Sequence, residues 1–146
     1  VYLFLKISNA KIKKIFLDDH IVIRFSELTE NDLNEIKNYL DSKNKNSIVL
    51  DPHELKNLIV YGCGKIASQI IEKTRFFKTI KNFEIVDGNP DKIGKHIFNK
   101  TIKRPSSIKE NENKIFIAAA QSYDEIYKNI VKIKGNDKNI ISGLIL

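Results

Sequence analysis

The stretch LIVYGCGKIASQIIEK, residues 58–73, constrains this chain more than any other. Leu58 to Tyr61 form a continuous apolar run, as in a strand buried on both faces, and the run stops at Gly62-Cys63-Gly64. From Lys65 the apolar period changes. Ile66, Ala67, Ile70, Ile71, Thr74 and Phe77 share one stripe of a helix predicted over residues 65–80. A strand that turns into a helix through two glycines is the first half of a βαβ unit.

The remaining pattern repeats that alternation. FEIVD (83–87) reads as a second buried strand, GNPDKIG (88–94) as turn chemistry, KTIKRP (100–105) as a short strand-like piece and SSIKENEN (106–113) as one or two helical turns. KIFIAAA (114–120) is a third strong strand. SYDEIYKNIVKIKG (122–135) reads as a helix, with Ser122 and Glu125 as a capping box and Gly135 as its stop, and NIISGLIL (139–146) as a last strand. The expected fold class is α/β: a Rossmann-like parallel sheet with flanking helices over 56–146, preceded by a small N-terminal α/β appendage over 1–55. In that appendage two or three strands fill residues 1–25. A helix follows with Thr29 as N-cap and Leu33, Ile36 and Leu40 on one face.

Gly62-Cys63-Gly64-Lys65-Ile66-Ala67 fits G-x-G-x-x-G/A. Gly62 permits the tight turn, Gly64 lets a pyrophosphate approach the backbone, and Ala67 lets the helix pack closely on the strand. The helix start adds unpaired N–H groups and a positive dipole end. Asp87 stands 25 positions after Gly62, near the usual interval of about twenty, where a carboxylate accepts ribose hydroxyls and repels a 2′-phosphate. NAD is therefore the expected cofactor. S-adenosylmethionine is the competing ligand, because its domains also use a glycine loop and a following acid. They usually carry a further glycine where Ile66 stands and an acid where Val60 stands. The cofactor-binding set is Gly62, Cys63, Gly64, Lys65, Ile66, Ala67, Asp87, Asn89, Ala119, Ala120 and Gln121, the last three at the carboxyl edge of the third strand. Asp124 and Glu125 read as first-turn helix acids, and Lys92 and Lys95 as a solvated loop. Cys63 sits where a helix dipole favours a thiolate, but no His or acid is near it in sequence, so no catalytic residue is assigned.

The net charge of +7 comes almost entirely from lysine, with Arg24, Arg75 and Arg104 the only arginines. The lysines are dispersed, so no nucleic-acid partner is expected. One cysteine and three scattered histidines predict neither a disulfide framework nor a metal site. No apolar run is long enough to span a membrane and no secretory signal is legible, which makes the cytoplasm the expected location. The absence of methionine and an end inside an apolar run lead us to expect a piece of a longer protein.

Taken together, the strings LIVYGCGKIASQIIEK, FEIVDGNPDKIGKHIFNKTIKRPSSI and KIFIAAAQSYDEIYKNIVKIKG resemble a family of small Rossmann-like domains. These are modules of bacterial surface-polysaccharide and nucleotide-sugar enzymes, beside sugar-nucleotide dehydratases and epimerases, glycosyltransferases, acetyltransferases and some methyltransferases. The resemblance covers residues 57–143. Its landmarks are Gly62 and Gly64, the turn with Asp87, Asn89, Pro90, Lys92 and Gly94, Pro105, and AAAQSYDEI. It implies a nucleotide held by the loop and the Asp turn, as NAD or as part of a UDP-sugar, in a larger sugar-modifying enzyme. Ala67 in place of a third glycine and the KTIKRPSS segment depart from the family pattern. A non-catalytic interaction module and a methyltransferase fragment are the alternatives, with further domains of the same chain or a homo-oligomer as partners.

Overall fold

Residues 2–3, 12–17, 20–25, 30–42, 48–55, 57–80, 82–119 and 121–145 are described by a computed structural model. Its larger sheet is built from the apolar runs: β4 (Leu58–Tyr61), β5 (Phe83–Val86), β6 (His96–Ile97), β7 (Lys100–Lys103) and β8 (Lys114–Ile117). The spatial order is β6-β7-β5-β4-β8. β4 pairs in parallel with both β5 and β8, β5 pairs in parallel with β7, and only the short β6 runs antiparallel. This is a mixed α/β, Rossmann-like sheet with helices on both faces.

The alternation of side chains along β4 and β8 divides the core in two. Leu58, Val60, Phe116 and Ala118 pack with Ala67 and Ile70 of α2 (Lys65–Lys73) and with Phe76 and Phe77 of α3 (Arg75–Thr79). Ile59, Tyr61, Ile115 and Ile117 pack on the other face with Ile108 and with Tyr123 and Ile130 of α4 (Tyr123–Lys134). All four β4 side chains are buried, as a central parallel strand requires.

The single helix expected over 65–80 is two helices. Thr74, 1% exposed, adopts extended backbone angles between them. Its hydroxyl donates to the Ile70 carbonyl at 2.9 Å and accepts the Phe77 N–H at 3.3 Å, closing α2 and opening α3 with one side chain. Phe76 and Phe77 are both buried, and Phe77 meets Phe76, Phe83 and Phe116 edge-on at 5.2, 5.8 and 5.6 Å.

Three other expectations change in detail. Ser122 precedes α4, but its backbone is not extended and its hydroxyl makes no capping bond, so the capping box is absent. The stop at Gly135 is present, with φ of 80°. The helical turns after residue 105 are a 3₁₀ turn, Pro105–Ile108. The last strand is shared between sheets. Ile140 bridges Ile115 beside β8, whereas β9 (Gly143–Ile145) joins a second sheet of β1 (Tyr2–Leu3), β2 (Ile12–Leu17) and β3 (His20–Phe25). β9 runs parallel to β3, which ties the far end of the 56–146 segment to the 1–55 segment. In α1 (Glu30–Ser42), Ile36 and Leu40 are fully buried; the proposed cap, Thr29, lies outside the described residues.

Thr74→Val keeps the shape but leaves the Ile70 carbonyl and the Phe77 N–H without this partner. We expect a loss of about 1–2 kcal/mol in urea unfolding, with Thr74→Ser retaining most of the stability.

Candidate nucleotide-binding cleft

β4 occupies the position at which the strand order reverses. From it the chain proceeds to β5 and β7 on one side, then returns to place β8 on the other. In open α/β sheets such a switch point leaves a crevice beyond the carboxyl ends of the strands. A cleft of about 930 Å³ lies there, lined by Gly62, Cys63, Gly64, Lys65, Ile66, Asp87, Asn89, Ala119 and Gln121, residues scattered over 60 positions of sequence. Two members of the expected set stand apart. Ala67 is 1% exposed and packs helix to sheet in the core, so its role is that of a spacer; Ala120 lies outside the described residues.

The two glycines stand on different footings. Gly62 has φ of 111°, its N–H donates to the Val86 carbonyl at 2.7 Å, and a Cβ there would lie 3.0 Å from the Ala118 carbonyl oxygen. Conformation and space both demand glycine. At Gly64 neither does: φ is −79° and a Cβ would meet nothing within 4 Å. Gly64 therefore opens the cleft without being needed by the fold. It is also the N-cap of α2 and offers no side-chain acceptor, so the first N–H groups of that helix have no side-chain cap.

Asp87 holds this loop in place. Its Oδ2 accepts the Cys63 N–H at 2.9 Å and the Cys63 thiol at 3.1 Å, and its Oδ1 accepts the Asn89 N–H at 2.8 Å. Lys92 Nζ lies 3.8 Å from Oδ2, so this lysine belongs to the cleft rather than to a solvated loop. Burial works to raise the Asp87 pKa, but the Asn89 and Cys63 hydrogen bonds and the Lys92 charge outweigh it and hold the carboxyl below its ordinary range. The same contact acts oppositely on Cys63. Burial first, then the hydrogen bond to Asp87 and its negative charge, push the thiol up to about 12. An acid does meet Cys63 in space, and it keeps the sulfur protonated.

The sequence pattern missed the opposite wall. Tyr61, Glu125, Lys128, Asn129 and Lys132 also line the cleft, the last four from α4. The available signal was a polar stripe, Glu125, Asn129 and Lys132, interleaved with Ile126, Ile130 and Ile133. Tyr61 is 2% exposed and its Oη accepts from Asn129 Nδ2 at 2.8 Å. Burial raises its pKa; the Asn129 bond opposes this, and the charges of Asp87 and Glu125 add to the rise. Among the described residues no group of three His, Cys, Asp or Glu side chains is placed to hold a metal, and no helix is long and apolar enough to cross a membrane.

No family model matches the sequence, and no curated protein matches it. Among solved structures the chain is similar to RSP, determined in complex with beta-NAD+ and operator DNA, at 16% identity and a TM-score of 0.45. The match covers 82% of this chain and 59% of that one, so the chain spans less than two thirds of that protein's length.

Two outcomes follow from the Asp87 contacts. Alkylation of Cys63 by iodoacetamide in the folded protein should be slow at pH 8 and rise without an inflection below about pH 11, while Asp87→Asn should speed it; mass spectrometry reads both. The folded pKa of Asp87 lies below its unfolded value of about 3.9. Its stabilisation is therefore complete above that pH and is lost as pH falls through the lower folded value. The stability gap between wild type and Asp87→Asn should narrow below about pH 4 in denaturant titrations.

Proposed function

We propose that this chain is a nucleotide-binding domain whose ligand is a dinucleotide of the NAD(H) type. The observation that carries the reading is Gly64: an unhindered glycine at an uncapped helix start, facing a cleft that Asp87 borders at the switch point of the sheet. The pyrophosphate would lie against Gly64 and the first turn of α2, with Lys65 and Lys92 supplying positive charge. The adenosine ribose would lie at Asp87. Its three internal hydrogen bonds leave carboxylate lone-pair capacity for a hydroxyl, and a ribose can also replace the thiol. A 2′-phosphate would meet an ionised carboxylate, which favours NAD over NADP.

The role is one of binding, and no residue is assigned a chemical step. The resemblance of the glycine loop, the Asp87–Gly94 turn and the 118–126 segment to modules of nucleotide-sugar and surface-polysaccharide enzymes supports placing the domain within a larger enzyme of that kind, in the cytoplasm. A UDP-sugar is the second ligand this reading admits.

Calorimetric titration with NAD, NADP, S-adenosylmethionine and UDP-glucose tests the proposal. NAD should give heat and NADP should bind at least tenfold more weakly; the absence of heat with all four would sink it. Gly64→Ala separates binding from folding. It should keep stability within about 1 kcal/mol, yet weaken NAD by tenfold or more because the new methyl enters the anion seat. In an interaction module that has lost its ligand, the same change would leave every measured property in place.

A further inference from the structure

Tyr61 and Asn129 form a polar pair with capacity to spare. Tyr61 is 2% exposed and Asn129 is half-buried, and they share one hydrogen bond. The amide donates to the phenol, so the phenolic O–H itself has no acceptor among the described residues. Turning the amide over would leave its NH₂ unspent instead. In either arrangement a donor remains at the cleft lining without an acceptor among the described residues, which asks for a partner from the cleft.

Its location suggests one. A Cβ on Gly88 would lie 3.8 Å from Tyr61 Oη, and Gly88 directly follows Asp87. The pair is thus adjacent to the residue assigned to the ribose, within reach of a base attached to that ribose. Glu125 stands one helical turn before Asn129 on α4, lines the same cleft, and has no hydrogen bond or ion pair among the described residues. The wall therefore presents a donor from Tyr61 or Asn129 beside an acceptor-only carboxylate. Pro105 and Gly88 border it without side-chain polar groups.

We infer that Glu125, Asn129 and Tyr61 read the base of the bound nucleotide and select one with an exocyclic amine beside a ring-nitrogen acceptor, as adenine has. The inference rests on the nucleotide reading above and adds which base is accepted and by which residues. The carboxylate of Glu125 accepts from the amine, and the Tyr61–Asn129 pair donates to the ring nitrogen. Hypoxanthine places a carbonyl against the carboxylate, while its ring N–H can be met by the Tyr61 oxygen once the phenol donates to the turned amide of Asn129. The Glu125 carboxylate that accepts from adenine thus repels hypoxanthine.

The test compares NAD with nicotinamide hypoxanthine dinucleotide, which has the same riboses and pyrophosphate, by calorimetric titration of the 146-residue chain. NAD should bind about tenfold or more tightly than its analogue. Glu125→Gln, on an exposed helix position, should bring the ratio close to one, because an amide both accepts and donates. Tyr61→Phe should weaken both dinucleotides. Equal affinity of the two dinucleotides for wild type, or a ratio that Glu125→Gln leaves unchanged, overturns the base-reading role while the nucleotide reading stands. No heat with either overturns both. Binding of UDP-glucose in place of both dinucleotides overturns the amine selection and leaves a nucleotide cleft.

Discussion

The hydrogen bonds from Cys63 to the Asp87 carboxylate hold the cleft together. Asp87 directly follows β5 and Cys63 follows β4, so one side chain fastens the glycine loop to the end of the neighbouring strand. The Gly62 N–H continues the β4–β5 ladder to Val86, and the Asp87 N–H continues the β5–β7 ladder to Lys103. Backbone pairing therefore runs past the strand ends and delivers Gly64 to the mouth of the crevice. With the loop so placed, α2 begins at a glycine that gives it no side-chain cap.

This clamp has two consequences of opposite sign. Hydrogen bonding stabilises the ionised carboxylate, so Asp87 stays charged, and that charge stabilises the protonated thiol. A loop cysteine near a helix start is ordinarily a candidate nucleophile. Here the residue that positions the loop also quiets its sulfur. The cleft consequently presents a carboxylate, lysines and a protonated thiol.

Much of the sheet was legible because buried parallel strands read as unbroken apolar runs, and LIVY, FEIV and KIFI became β4, β5 and β8. The break at Thr74 was not legible. Its apolar stripe continues through residue 77, and a threonine within that stripe gives no local sign that its hydroxyl will close one helix and open the next. Ser122 shows the converse: a capping residue in the right place whose backbone angles deny it the bond. Gly62, Gly64 and Asp87 were readable as neighbours, and they line one cleft, because spacing along a βαβ unit is a local property. Glu125 and Asn129 were not, since their relation to Tyr61 spans more than 60 residues.

The sequence by itself determined the kind of sheet, the turn at Gly62 and the acid at the end of the second buried strand. These follow from hydrophobic period and from the few residues that tolerate a positive φ. Only the tertiary structure decided which side of β4 receives β8, and hence where the crevice lies and which face of α4 lines it. It also decided that β9 leaves the Rossmann-like sheet for β3. Strand partners are chosen by long-range burial and open hydrogen-bonding edges, and neither is written in the spacing of neighbouring residues.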